Sequence, residues 1–122
     1  LTVLIADDHP INLKVATMIL EQIGSRCTTA VDGAEAVTAF KSGRFDLVLM
    51  DMQMPVMDGL TAVREIRALE DRSGLARTPI AILSANAMPE HIAAASDAGA
   101  DEHLSKPIRP ADLLRLVSRL TA

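Results

Sequence analysis

Short continuous apolar runs alternate along this chain with longer segments in which apolar residues recur every three or four positions. Thr2 to Ala6 is the first such run, and Pro10 to Ile23 follows with Val15, Ala16, Ile19, Leu20 and Ile23 on one face at helical spacing. Asp8 or His9 is placed to cap that helix, Pro10 suits its first turn, and Gly24 can close it. Arg26 to Ala30 reads as a second strand, and Gly33 to Ser42 as a helix that buries Ala36, Val37 and Phe40. Asp46 to Met50 is the third and most apolar strand. After the Pro55 and Gly59 punctuation, Leu60 to Leu69 is predicted helical with Val63 and Ile66 inward, and Glu70 to Thr78 is a polar loop. A strand over Pro79 to Leu83, an Ala-rich helix over Pro89 to Ala98 and a short strand over Asp101 to Leu104 come next. The last helix, Pro110 to Leu120, carries Leu113, Leu114, Val117 and Leu120 on its apolar face, which completes five repeats of strand then helix.

Strict alternation of strand and helix implies an α/β fold with a parallel sheet covered on both faces, since parallel strands need crossover connections. The unbroken apolar character of Leu47 to Met50 agrees, because a strand buried on both faces does not alternate. Sites in such sheets lie outside the carboxyl ends of the strands. Asp7, Asp8, Asp51, Ser84 and Lys106 all fall at or just beyond predicted strand ends.

Composition narrows the function. The 122 residues make one domain, 1–122, large enough for a real core. With 49% hydrophobic but only 2% aromatic residues, that core must be aliphatic. A formal net charge of −4 argues against nucleic acid as a partner, because counterion release needs a basic surface. No apolar stretch approaches the roughly 20 residues of a membrane span, and the N-terminus lacks a signal-like charged and apolar pattern. A cytoplasmic setting is the expectation. Cys27, the only cysteine, reads as a small buried hydrophobe. The chain opens on Leu1 rather than Met and enters its first strand at once, which points to a domain cut from a longer protein.

If the strand ends meet, three carboxylates and one ammonium share an edge. Two unit charges about 4 Å apart repel by roughly 4 kcal/mol near a protein surface, so the carboxylates either raise one another's pKa values or recruit a cation. An oxygen-only donor set selects a hard ion, and Mg²⁺ is favoured because it takes one or two carboxylates together with phosphate oxygens. A carboxylate can act as a nucleophile toward phosphorus, while a metal, a lysine and a hydroxyl neutralise the equatorial oxygens. Asp51, Lys106 and Ser84 supply those groups.

The pair Asp7-Asp8, the segment from Asp51 to Gly59 (DMQMPVMDG), Ser84-Ala85 and Lys106-Pro107 resemble, in order and spacing over nearly the whole chain, the receiver domain of two-component response regulators. The resemblance implies a flavodoxin-like (βα)5 three-layer sandwich with five parallel strands in the order 2-1-3-4-5. It implies that Asp51 accepts a phosphoryl group from a phosphohistidine. Asp7, Asp8, Asp51 and the main-chain carbonyl of Gln53 would bind Mg²⁺, with Mn²⁺ or Ca²⁺ as substitutes, and Asp7 would act partly through water. Lys106 would contact the phosphoryl oxygens, and the Lys106-Pro107 bond would be cis. Ser84 and His103 would form the conformational switch, although many members carry Tyr or Phe where this chain has His103. Gln53 and Asn86 would tune hydrolysis of the acyl phosphate.

The partner implied is a histidine kinase or a histidine phosphotransfer domain, docked on Ile11, Asn12, Val15, Pro107 and Ile108. The Asp-Asp-His-Pro-Ile-Asn segment and the Ser84-Ala-Asn-Ala-Met segment look most like receivers of hybrid sensor histidine kinases. The domain would then catalyse only its own phosphorylation and dephosphorylation, the kinase activity belonging to the parent chain, which could tether it to the inner face of a membrane. A weak homodimer through the last two helices is a further expectation. Two rivals share parts of the pattern. A pseudo-receiver would bind partners without phosphorylation, against which all five site residues are present. A Mg²⁺-dependent aspartyl-phosphate hydrolase would carry Asp-x-Asp at the nucleophile, where this chain has Gln53. A glycine-rich phosphate loop is absent after the first strand, which ranks nucleotide or flavin binding lower still.

Weaker signals receive structural readings. Met50, Met52, Met54 and Met57 surround Asp51, with Met50 assigned to the core and the rest to an adaptable lip. Asp58-Gly59 is expected to turn the chain, glycine supplying backbone freedom. Arg64, Arg67, Arg72 and Arg77 with Glu65, Glu70 and Asp71 read as a solvated mixed-charge face, and His9 and His91 as surface residues without a second metal ligand.

Overall fold

The structure is a computed structural model that describes residues 1–85 and 88–121. Five strands, β1 (Thr2–Ala6), β2 (Arg26–Ala30), β3 (Leu47–Asp51), β4 (Ile80–Ser84) and β5 (Glu102–Ser105), form one parallel sheet in the order β2-β1-β3-β4-β5. Between and after them run α1 (Pro10–Glu21), α2 (Gly33–Ser42), α3 (Gly59–Ser73), α4 (Pro89–Ala98) and α5 (Pro110–Leu120).

Successive strand side chains point to opposite faces, and this divides the core in two. Leu4, Val48, Met50, Ile80 and Ile82 pack under Ala36, Val37 and Phe40 of α2, Ala62, Val63 and Ile66 of α3, and Ala95 and Ala98 of α4. Val3, Ile5, Leu47, Leu49, Ala81 and Leu83 pack under Ala16, Ile19 and Leu20 of α1 and Leu113, Leu116 and Val117 of α5. The three central strands β1, β3 and β4 are thus buried on both faces, which is why each is a continuous apolar run. The order reverses between β1 and β3, so a crevice opens at their carboxyl ends.

Several boundaries differ from the sequence expectation. Strands β3, β4 and β5 sit one residue later, so Asp51 and Ser84 are the last residues of their strands, paired with Leu83 and Ser105 respectively. Helix α1 ends at Glu21, and Val15 and Ile23 are 39% and 50% exposed rather than core. In α5 Leu113 and Val117 are buried as expected and Leu116 joins them, while Leu114 and Leu120 are only partly buried. Cys27 is half-buried, because β2 is an edge strand with only Ala30 buried.

The largest correction concerns the stretch from Glu70 to Thr78. Helix α3 continues through it to Ser73 and closes on Gly74 at φ 65°. Glu70 is buried and bonded: Arg67 Nη1 donates to its Oε1 at 2.8 Å, and the Thr78 N–H donates to its Oε2 at 2.6 Å. Arg67 also donates to the carbonyls of Gly99 and Thr78 and to Asp101 Oδ2, and Arg77 pairs with Asp101 Oδ1. Arg67, Glu70, Arg77 and Asp101 therefore tie α3 to the amino ends of β4 and β5; Arg67 and Glu70 leave the expected solvated face, whereas Arg64, Glu65, Asp71, Arg72 and Arg77 are exposed as expected. Burial pushes the Asp101 carboxyl up, but the Arg77 hydrogen bond, the Ile80 N–H and the two guanidinium charges bring it net below the usual carboxylate range.

Candidate functional site

Each strand of the crevice delivers one polar residue. Asp7 follows β1 and is 1% exposed; its N–H donates to the Ala30 carbonyl at 3.0 Å, and its Oδ1 accepts the His9 N–H at 2.9 Å. Neither Asp8 nor His9 caps α1 through its side chain, contrary to the sequence expectation; His9 takes the cap position in extended conformation, and the carboxylate turned back to the chain is that of Asp7. Asp51 ends β3 at 4% exposure, Ser84 ends β4 at 5%, and Lys106 follows β5 with its N–H on the Ser84 carbonyl at 2.8 Å. The Lys106-Pro107 bond is cis.

The Lys106 ammonium lies 3.0 Å from Asp51 Oδ1 and 3.1 Å from Asp7 Oδ2, so one cation bridges two buried carboxylates. Burial raises the Asp51 pKa; the Lys106 hydrogen bond and charge pull the other way, Asp7 and Asp8 add to the rise, and the net direction is up. For Lys106, burial lowers the pKa, but the hydrogen bonds and charges of Asp51 and Asp7 more than offset it and the net direction is up. A cavity of about 340 Å³ lies over this pair, lined by His9, Asp51, Met52, Gln53, Ser84, Ala85, His91 and Lys106.

Two histidines assigned to the surface belong to the site. His9 Nδ1 is 3.1 Å from Asp8 Oδ1 and 3.7 Å from Asp7 Oδ1, so Asp7, Asp8 and His9 can offer ligand atoms within 4.8 Å of one another. The adjacency in sequence was the signal for this trio; the missing information was the bend that turns the ring back over the carboxylates. His91, from the first turn of α4, lines the cavity and is half-buried. His103 is also half-buried, on β5, with its Nε2 2.8 Å from the Ser84 hydroxyl oxygen. Burial and the nearby His91 charge hold its pKa below the ordinary histidine value.

These residues fit a hard divalent cation. Asp7 Oδ2 is buried without a hydrogen bond of acceptable geometry and lies 3.1 Å from the Lys106 ammonium, while Asp8 and Asp51 add further oxygens at the same edge. Gln53 is exposed on the loop after β3, and Asn86 lies outside the described residues.

The loop back into α3 shapes the floor. Asp58 caps α3, its Oδ1 accepting the Thr61 N–H at 2.8 Å. Gly59 is needed for space and not for freedom of φ. It is the first helical residue, and a Cβ there would stand 2.0 Å from the Asp51 carbonyl oxygen. Of the methionines around Asp51, Met50 and Met52 are buried, and Met54 and Met57 pack against the α2–α3 core.

The docking candidates surround the cleft in different degrees. Ile11 is 76% exposed and Val15 39%; Pro107 is exposed, and Asn12 and Ile108 are half-buried. Met18, which the sequence reading did not single out, is 54% exposed and lies one turn beyond Val15, so that Ile11, Val15 and Met18 form an apolar stripe.

Residues 3–118 match the response regulator receiver domain family. Among curated relatives, the peroxide stress-activated histidine kinase mak1 of Schizosaccharomyces pombe is 41% identical over 120 residues, covering 96% of this chain and 7% of its own. The chain thus spans a small part of the length of such relatives. Among solved structures, the receiver domain of the sensor histidine kinase PA1611 from Pseudomonas aeruginosa, with a magnesium ion coordinated in its active-site cleft, superposes with a TM-score of 0.88 at 38% identity over 98% of this chain and 96% of that one. The receiver domain of Ssk1 from Saccharomyces cerevisiae, co-crystallised with the histidine phosphotransfer protein Ypd1, gives 0.95 at 28% identity over 99% and 88%.

Proposed function

Because this chain belongs to the receiver domain family of two-component signalling, we propose that Asp51 is its phosphoacceptor. The observation that carries the proposal is the Lys106 ammonium 3.0 Å from the buried Asp51 carboxylate, on the floor of a cleft with Ser84 on its wall. An Asp51 oxygen attacks the phosphorus of a phosphohistidine as the P–N bond breaks, and the electron pair returns to the donor's imidazole nitrogen. Lys106, already positioned, meets charge that develops on the transferred oxygens without reorganising. Burial raises the Asp51 carboxyl pKa, and the Lys106 ammonium beside it works the other way, favouring the ionised form that acts as nucleophile.

Asp7, Asp8, Asp51 and the Gln53 main-chain carbonyl are the oxygens that would hold Mg²⁺, and the bound ion would neutralise phosphoryl oxygens. Mn²⁺ and Ca²⁺ are proposed substitutes, and His9 supplies a nitrogen beside Asp8 that suits Mn²⁺ better than Ca²⁺. The donor is a histidine phosphotransfer domain or kinase, docked on Ile11, Asn12, Val15, Pro107 and Ile108, with Met18 extending the stripe. Ser84, His103 and Lys106 form the switch, and Gln53 and Asn86 set the lifetime of the acyl phosphate. The remaining proposals concern setting: a cytoplasmic receiver within a hybrid kinase, with α4 and α5 as the face of a weak homodimer. No described helix is long and apolar enough to cross a membrane.

Intact-mass measurement after incubation with Mg²⁺ and a small phosphodonor tests the assignment. One acid-labile phosphoryl group is expected on the parent and none on Asp51→Asn. No gain on the parent, or equal gain on the variant, overturns it.

A further inference from the structure

The Ser84 hydroxyl has one proton, on which His103 and an arriving phosphoryl group both have a claim. Its oxygen sits 2.8 Å from Nε2 of His103, on the neighbouring strand β5. It also lines the cleft over Asp51, where a phosphoryl group offers only acceptor oxygens. A hydroxyl that donates to the phosphoryl group has nothing left to donate to the ring, so in that state the ring must donate to it. A phenylalanine or tyrosine ring at this position has no nitrogen with which to make that exchange.

We propose that His103 is a positioning residue that directs the Ser84 proton: phosphorylation of Asp51 selects the ring with Nε2 protonated, which donates to Ser84 while Ser84 donates to the phosphoryl group. The inference rests on the phosphoacceptor reading of Asp51 and adds a polar relay to it. No bond other than hydrogen bonds changes. The ring meets the requirement as imidazolium, which is favoured because the charge arriving on Asp51 is negative and lies one hydroxyl away. In the unphosphorylated protein burial, and then the His91 charge on α4, lower the pKa of the ring. The other ionisable groups around it are Lys106 beyond β5, the Asp101 carboxyl, and Glu102 of its own strand, which is paired to Arg119 of α5 at 2.9 Å; Ser96 of α4 shares with the ring a groove between α4 and β5. Phosphorylation is thus coupled to uptake of a proton at His103, and by reciprocity a fall in pH favours the phosphorylated shape.

The test uses beryllofluoride with Mg²⁺ as the phosphoryl mimic on the whole chain. Nitrogen-15 NMR of the wild-type histidines should show Nε2 of His103 carrying hydrogen in the mimic-bound form, with its titration moved upward. Mimic affinity should rise as pH falls across that range, about tenfold for each unit by which the His103 titration moves. His103→Gln, whose amide can donate to Ser84 at every pH, should bind the mimic without this component, and His103→Phe should also lack it. A bare Nε2 in the mimic-bound wild type, or the same pH slope in wild type and both variants, overturns the relay while leaving Asp51 as acceptor. Absence of mimic binding in every protein overturns the acceptor reading and the relay with it.

Discussion

Replacing Gly59 by alanine adds one methyl group to the first residue of α3, and the structure says what that methyl meets. The new Cβ would lie 2.0 Å from the Asp51 carbonyl oxygen and 2.9 Å from its carbonyl carbon. Carbon and oxygen settle at about 3.3 Å, so the two must separate by roughly 1.3 Å. Neither can move cheaply: the oxygen is main chain of the central strand β3, and the Gly59 N–H is held by the Met52 carbonyl at 2.9 Å. Overpacking of this kind costs about 3 kcal/mol at the upper end of its range, and alanine recovers about 1 kcal/mol through helix propensity. A net loss of about 2 kcal/mol is expected, or a fall of about 1.3 M in the urea midpoint for a slope near 1.5 kcal/mol/M. The displaced residue is the proposed phosphoacceptor, so the rate of Asp51 phosphorylation should fall as well, by about a hundredfold for a shift near 1 Å. Gly43→Ala is the control. Its Cβ would meet the Phe45 ring at 3.5 Å and the Ala39 carbonyl oxygen at 3.8 Å, both ordinary contacts, and no loss of either kind is expected. A Gly59→Ala protein with an unchanged midpoint and unchanged phosphorylation would refute the assignment of this glycine to close approach.

Other outcomes follow from the same geometry. Arg67→Met strips the buried Glu70 and Asp101 of a shared cation and should cost about 3 to 5 kcal/mol in urea unfolding, yet leave Asp51 phosphorylation intact, because the network lies at the opposite end of the sheet. The Asp101 pKa is lowered on folding, so its contribution is complete above its unfolded value of 3.8 and is lost as pH falls through the lower folded value. Asp101→Asn should accordingly flatten the stability curve below pH 3.8, and an unchanged acid limb would show that the ion pairs contribute nothing. Ile11→Asp, at a position 76% exposed, should alter stability by less than about 0.5 kcal/mol. The same change should slow transfer from a phosphohistidine protein about tenfold or more while leaving a small phosphodonor unaffected, and equal slowing of both would remove Ile11 from the docking surface.

Much of the site was legible in the sequence because its parts stand at the ends of strands, three of them continuous apolar runs. Asp7, Asp51, Ser84 and Lys106 stand where strand periodicity stops, and parallel topology sends all such positions to one edge. Residues whose role depends on direction could not be read this way. His9 and His91 look alike in sequence, each next to a helix start, yet one turns over Asp8 and the other over the cleft. Val15 satisfies the apolar period of α1 but falls on the edge of its buried stripe, beside Ile11 and Met18, and is exposed. Arg67 and Glu70 carry the composition of a solvated helix face. Their burial follows from partners at Thr78, Gly99 and Asp101, residues 11, 32 and 34 positions from Arg67.

The order of residues alone sets the element order, the central strands buried on both faces, and the chemistry gathered at one edge, since all three follow from local periodicity and the one-handed rule for crossovers. It also carried the motif that places the chain in its family. Which partner each polar group takes is set by the three-dimensional packing. Lys106 bridges Asp51 and Asp7, Gly59 is small because the Asp51 carbonyl lies against it, and the Ser84 hydroxyl rests against His103. Those pairings join residues 8 to 99 positions apart, which no local pattern encodes and which the register of five strands sets together.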